Sequence, residues 1–401
     1  MLLNPLPVAA GERNLFEQPG PAVALNGVDG PVLAAVRKAG LEPAPLCSDE
    51  VFVRRVYVDM IGALPTPGEV FSFLENSRPD KRAALIEQLF QRPEFSDYWA
   101  MKWGDVLRIK AEFPINLWPL AAEVYHEWLW TSLRDNKPFD QMAREMLTSS
   151  GSNFRNPPVN FLRASQDRTP SGLAEVVALT FLGSRFKQWP SEKQDQMSLF
   201  FSRVGYKPTA EWKEEIVYWI REPLGTEDVL FPDGTQGKVL AAQDPREVFA
   251  AWLTAPANTA FARSVVNRVW YWLMGRGIVQ EPDDLRADNP PSNPELLDYL
   301  ARQFVASHYD LRALYRLILN SRTYQQSSLT TTKDPRAEAL FAHYLTRPME
   351  AEVLQDALCQ IFQVGVGYTS EVPEPYTYVP KYQSTVSLAD GSETVLWYFG
   401  T

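Results

Sequence analysis

The chain has 401 residues, enough for a large buried core, and its 39 Lys+Arg against 49 Asp+Glu give a net charge of −10. That acidic balance argues against general nucleic-acid binding, because no excess of cations exists to neutralise phosphates. Two cysteines, Cys47 and Cys359, exclude a disulfide framework, a four-thiolate zinc site and an iron–sulfur cluster, and only His126, His308 and His343 are left for imidazole chemistry.

Residues Met1 to Ala10 are apolar and end in small residues like the tail of a signal peptide. They lack a positive n-region and are broken by Pro5 and Pro7, so no complete signal peptide is visible. Residues 1–30 carry Pro and Gly without a sustained period and read as an extended arm. A helical pattern starts near Val32. A second follows Ser48-Asp-Glu, an N-cap with acidic first-turn residues, and Gly62 ends it. In that helix Val51, Val53, Val56, Tyr57 and Met60 face a core, with Arg54 and Arg55 between them. Leu64-Pro-Thr-Pro opens a third helix and Asp80 caps a fourth.

Trp99 and Trp103 share one face of a helix between Phe95 and Arg108, at i and i+4. Helices over 123–133 and 138–147 follow, then a loop over 151–158 and an apolar helix over 171–182. The longest apolar stretch, Val176 to Gly183, is far short of the roughly 20 residues of a spanning helix, so no membrane span is expected. From Gly205 to Ala242 the pattern turns β-prone, with Ile216-Val-Tyr-Trp-Ile as a strand and a hairpin around Pro232-Asp-Gly-Thr-Gln-Gly. Helices resume at Pro245. The end of the chain reads as a second hairpin, from Thr385-Val-Ser-Leu to Glu393-Thr-Val-Leu-Trp-Tyr-Phe; Thr401 follows directly on a strand, so the polypeptide is expected to continue.

The predicted fold is therefore mainly α, a multi-helix composite with a small β insertion and a C-terminal β-hairpin. Its expected divisions are an arm over 1–30, a helical domain over 31–204, a β-rich insertion over 205–243, a second helical domain over 244–362 and a hairpin tail over 363–401. An internal echo between the two halves fits either two related helical units or chance similarity among amphipathic helices. Arg82, Leu85, Leu89 and Pro93, then Trp99 and Trp103, return as Arg246, Phe249, Leu253 and Pro256, then Trp270 and Trp272.

Several constellations bear on chemistry. Glu123 and His126 have the i, i+3 spacing of helix-bundle metal ligands, but no second Glu-x-x-His exists and a helix-surface or capping histidine fits better, so no metal is expected. Asp283, Asp284, Asp288 and Asn289 are oxygen ligands grouped without EF-hand spacing and read as solvated loop groups. No phosphate-binding glycine loop and no nucleophile elbow is present. Arg54-Arg55-Val-Tyr-Val-Asp59 and Asn267-Arg268-Val-Trp270 set charges and amides among core residues, which fits buried ion pairs between helices or the lining of a ligand cleft. Arg54, Arg55, Trp103, Asn267, Arg268 and Trp270 are thus the candidate binding residues. Asp59, Asp105, Asp283 and Asp284 are the candidate acid/base carboxylates.

These strings also carry a resemblance. Arg54-Arg-Val-Tyr-Val-Asp-Met-Ile-Gly-Ala-Leu-Pro-Thr-Pro67 and Trp99 to Arg108 resemble the second planctomycete cytochrome-associated domain. Trp252 to Gly277, Asn293 to Ala301 and Ile318 to Ser328 resemble its partner, planctomycete-specific domain one. The resemblance implies an exported protein of the periplasm or cell surface, found in planctomycetes and verrucomicrobia and set beside cytochrome c modules, and it brings no catalytic residues with it.

Many such relatives have a Cys-x-x-Cys-His segment after Phe-Leu-Gly, the pattern for covalent haem attachment. Here Phe181-Leu-Gly runs on to Val204 without a Cys or His, so no haem or other resident cofactor is expected. The leading functional expectation is a haem-free extracytoplasmic helical scaffold or binding protein of a cell-surface or polysaccharide-handling system, with a polysaccharide or a surface protein as partner. The alternatives are a carbohydrate-active enzyme with paired Asp carboxylates and an accessory protein to a separate cytochrome c.

Overall fold

A computed structural model describes residues 15–18, 20–111, 115, 117–221, 225–330, 332–368 and 383–388. The protein is mainly helical. The first half contains α1 (Asp29–Lys38), α2 (Asp49–Ile61), α3 (Pro67–Glu75), α4 (Lys81–Leu89), α5 (Pro93–Leu107), α6 (Pro119–Arg134), α7 (Phe139–Thr148), α8 (Asn160–Arg163), α9 (Pro170–Leu182) and α10 (Ser191–Leu199). The second half contains α11 (Pro245–Leu253), α12 (Thr259–Met274), α13 (Pro294–Ala306), α14 (Leu311–Leu319), α15 (Arg322–Gln325), α16 (Arg336–Ala339) and α17 (Ala351–Phe362). No helix among the described residues is long and apolar enough to cross a membrane.

The helix ends follow from local chemistry. Ser48 Oγ accepts the Val51 N–H at the start of α2, and Gly62 closes that helix in the left-handed region at φ 60°. A Cβ at Gly62 would lie 2.7 Å from the Tyr98 ring, so glycine is required there for space as well as for φ. Thr66 and Glu69 form a capping box at α3, with Pro67 at the first helical position. Asp80 is different: it precedes α4, but its carboxylate pairs with Arg78 at 2.6 Å and caps no helix N–H.

Among the described residues the strands form three small antiparallel sheets. In the first, β1 (Glu17–Gln18) pairs with β2 (Leu46–Cys47), so the expected arm contains a short strand and gives way to α1 already at Asp29. In the second, β5 (Glu215–Trp219) lies between β3 (Gly151–Ser152) and β4 (Val204–Pro208). The expected loop over 151–158 therefore begins as a strand, because Gly151 and Ser152 meet the unpaired edge of β5. In the third, β6 (Glu227–Leu230) and β7 (Gln236–Val239) make the predicted hairpin. The C-terminal hairpin reading fails at its first strand: Thr385–Ser387 is a 3-10 turn whose Thr385 and Val386 N–H groups donate to Asp356 on α17. Its second strand, like the signal-like segment at Met1 to Ala10, lies outside the described residues.

One core runs through both halves, from Val28 to Val386. Helices α4 to α7 have 9, 15, 16 and 10 residues, and α11 to α14 have 9, 16, 13 and 9, in the order the sequence echo sets them. The echoed tryptophans meet at the centre. Trp103 of α5 is perpendicular to Trp272 of α12 at 4.9 Å between ring centroids, and Trp99 lies 4.1 Å from Tyr315 of α14.

Candidate functional site

The Arg54–Asp59 string sits on α2, and its period separates its two arginines. Arg54 is exposed, whereas Arg55 and Asp59, four residues apart, point into the protein. Asp59 is 4 % exposed and accepts from Tyr324 Oη at 2.7 Å, Tyr344 Oη at 3.0 Å and Arg347 Nη2 at 2.6 Å. Burial opposes the charge on Arg347, but Asp59, together with Tyr344, Tyr98 and Glu350, outweighs it and drives its pKa upward. Burial, followed by the Asp59 charge, raises the Tyr324 and Tyr344 phenols well above their usual value. Arg55 donates to the Tyr324 and Gln326 carbonyls at 2.6 and 2.8 Å and lies 3.7 Å over the Tyr344 ring.

This network joins the halves rather than opening to solvent. Arg322 donates to the Ala44 carbonyl, and Ser327 N–H donates to Pro45. Asp29, fully buried at the start of α1, accepts the N–H groups of Arg322 and Thr323 at 2.9 Å and the Thr323 hydroxyl at 2.8 Å. The two strings Arg54–Asp59 and Ser321–Ser328 are therefore opposite sides of one buried polar clasp.

The remaining candidates divide between core and surface. Trp103 is fully buried and donates from Nε1 to Tyr315 Oη at 3.1 Å. Trp270 is also fully buried, edge-on to Phe341. Asn267 holds the loop after α12, donating to the Val279 carbonyl and accepting the Val279 N–H, both at 2.9 Å. Arg268 donates to the Thr180 carbonyl at 3.0 Å and pairs with Asp283. Asp284 pairs with Arg286 at 2.8 Å, and Asp105 is an exposed carboxylate 3.9 Å from Lys110. Glu123 is exposed while His126 Nε2 is enclosed without a hydrogen-bond partner; burial alone lowers that imidazole to about 4. Among the described residues no group of three or more His, Cys, Asp or Glu side chains is placed to hold a metal ion.

The strongest candidate site is a cleft of about 410 Å³ between the β6–β7 hairpin, α10 and the loop after α12. It is lined by Trp189, Lys193, Asp233, Trp252, Arg263 and Asp298 among others, and by none of the candidate carboxylates. A second cleft, of about 340 Å³ between α13 and α14, includes none of them either.

Local structure explains why these side chains converge. Gly183 ends α9 at φ 56°, a 3-10 turn over Phe186–Gln188 follows, and Trp189 comes next, with its Nε1 donating to Ser184 Oγ at 2.8 Å. Lys193, in the first turn of α10, lies 4.2 Å over the Trp189 ring. Asp233 stands in the hairpin turn and accepts Trp252 Nε1 at 3.1 Å from the end of α11. Burial opposes the Asp233 charge, but hydrogen bonds from Thr235 and Trp252 outweigh it and hold the carboxyl below its ordinary value. Phe231 stacks on Trp252 at 5.1 Å and 5°. With both indole N–H groups engaged inside the protein, the half-buried rings offer the cleft their apolar parts. Residue spacing along the chain does not mark this set, because its members come from the turn before α10, from α10, α11, α12 and α13, and from the β6–β7 hairpin; the 12 tryptophans of the chain are the compositional signal that points to it.

Fold and site together define a large, mainly helical protein with an aromatic-lined cleft beside a β-hairpin. By sequence, residues 27–196 match PSCyt2, a protein of unknown function (DUF1549), and residues 245–389 match PSD1, a protein of unknown function (DUF1553). They are the cytochrome-associated and planctomycete-specific domains that the motifs resemble. No curated protein and no solved structure matches the chain.

Proposed function

We propose that this protein is a haem-free, non-catalytic binding protein of an extracytoplasmic assembly that handles polysaccharide, and that the Trp189–Trp252 cleft is its ligand site. The observation that carries this reading is the cleft itself: two half-buried indoles with their N–H groups tied off, edged by the charged groups of Lys193, Asp233, Arg263 and Asp298. Sugars present apolar C–H faces and polar rims, and such a surface meets both. Location outside the cytoplasm rests on the family resemblance.

The enzyme alternative needs two carboxylates free to exchange protons about 5 to 10 Å apart beside a bound substrate. Asp59 is committed to Arg347 and two tyrosines, Asp283 to Arg268 and Asp284 to Arg286, which favours a structural role for each. The segment in which relatives carry haem cysteines supplies Ser184, Trp189 and Lys193 to the cleft wall, which favours binding over covalent haem attachment there.

A glycan array followed by calorimetric titration of the purified chain tests the reading. Saccharide binding that Trp252→Ala weakens by about tenfold or more is the expected result. Absence of binding to any saccharide, or binding unchanged in Trp252→Ala, would overturn it.

A further inference from the structure

Three cations line the cleft, and their surroundings differ. Arg263 is paired with Asp298 at 2.6 Å, and Arg286 is paired with Asp284 at 2.8 Å and Asp288 at 3.3 Å. Lys193 has no such partner: among the described residues no carboxylate lies within 4.0 Å of its ammonium, which instead rests on the Trp189 ring. Burial lowers the Lys193 pKa, and the more distant Asp233 opposes that only in part. Asp233 is not a ready acceptor for it, because Oδ1 takes two hydrogen bonds from Thr235 and Oδ2 takes the Trp252 indole. The cleft thus keeps one partly desolvated, unneutralised cation beside an aromatic surface, in a chain whose net charge is −10.

We infer that the cleft selects an acidic saccharide, with a carboxylate or sulfate of the sugar seated against the Lys193 ammonium and the sugar ring packed on Trp252. The inference rests on the cleft being a saccharide site and adds the charge class of the ligand. An anion there supplies the partner that the protein withholds from Lys193, and the chain's own acidity otherwise disfavours anions through long-range repulsion. A neutral sugar gains the stacking alone. Lysine is a point charge without a planar fork, so it accepts carboxylate and sulfate alike.

The test is calorimetric titration of the whole chain with three probes of similar length: hexagalacturonate, a sulfated galactan hexasaccharide and neutral mannohexaose. At least one acidic probe is expected to bind about tenfold tighter than mannohexaose at low salt, with the preference shrinking as salt is raised. Lys193→Gln should weaken the preferred acidic probe about tenfold and so abolish the preference, while Lys193→Arg should retain it. Which acidic probe binds tells carboxylate from sulfate. Equal affinity for acidic and neutral probes, or a preference that survives Lys193→Gln, would overturn the charge assignment while leaving saccharide binding intact. No binding of any probe would overturn both.

Discussion

Replacing Asp59 by alanine is the sharpest test of the buried clasp. The substitution removes the acceptor of Tyr324 Oη, one of two hydrogen-bond partners of Tyr344 Oη, and the counter-charge of Arg347. Tyr344 keeps the hydrogen bond from Arg347 Nη1 at 2.8 Å, so the main losses fall on Tyr324 and on the guanidinium. An unpaired buried hydroxyl costs about 1–3 kcal/mol, and breaking a buried ion pair from one side costs about 3–5 kcal/mol. The Arg347 side chain is 22 % exposed and can recover some hydration, which places the whole effect near the lower end, about 3–4 kcal/mol. Asp59→Asn keeps an acceptor oxygen for the tyrosines and should lose about 2 kcal/mol.

Urea unfolding followed by tryptophan fluorescence reads these losses, since Trp99 and Trp103 lie in the shared core. The companion measurement is a double-mutant cycle with Arg347→Met. Removing both charges should cost less than the sum of the single losses by about 2 kcal/mol, because neither is then left buried alone. A loss below about 1 kcal/mol for Asp59→Ala, or strict additivity in the cycle, would refute the claim that this pair holds the halves together.

Further expectations concern acid, backbone and domain structure. His126 is held near a pKa of about 4 when folded against 6.5 for an unperturbed imidazole, so the unfolded chain takes up its proton first as pH falls. Its stabilising contribution is complete above about pH 6.5 and declines by about 2–3 kcal/mol on going to pH 4.5; His126→Gln should remove that part of the pH dependence in urea unfolding at the two pH values. Gly183→Ala should destabilise by about 2 kcal/mol or more, since φ is 56° and the new Cβ would lie 2.6 Å from Leu285 Cδ1; the urea midpoint checks it, and an unchanged midpoint would contradict the geometry. Residues 15–204 expressed alone should bind a hydrophobic dye and lack a cooperative unfolding transition, because Trp99 and Trp103 would lose Trp272 and Tyr315; a cooperatively folded fragment would count against the shared core.

The helices were legible because their signals are local. Ser48 and Gly62 bracket α2, Thr66 with Glu69 opens α3, and Thr169 with Gly183 brackets α9, each through bonds or dihedrals within a few residues. Helix α10 escaped notice because its residues, Ser191 to Leu199, are mostly polar and bury only Met197, so no apolar stripe marks it. Thr385-Val-Ser reads as a strand by composition, yet Asp356 of α17 accepts its N–H groups and bends it into a turn. Asp80 has the residue type of a cap, but Arg78 two positions earlier captures its carboxylate.

The helical class, the hairpin over 227–239, the family strings and the absence of the haem-attachment pattern all depend on residue order over short spans and are readable from it. What the marked residues do depends on long-range packing. Arg55, Asp59, Asn267, Arg268 and Trp270 face inward and hold the halves and loops together, because their partners lie tens to hundreds of positions away: Tyr324, Arg347, Val279, Thr180 and Phe341. The cleft likewise arises where a turn, a helix start, a hairpin tip and a helix end converge. Burial and pairing are properties of that convergence, and residue order does not encode them locally.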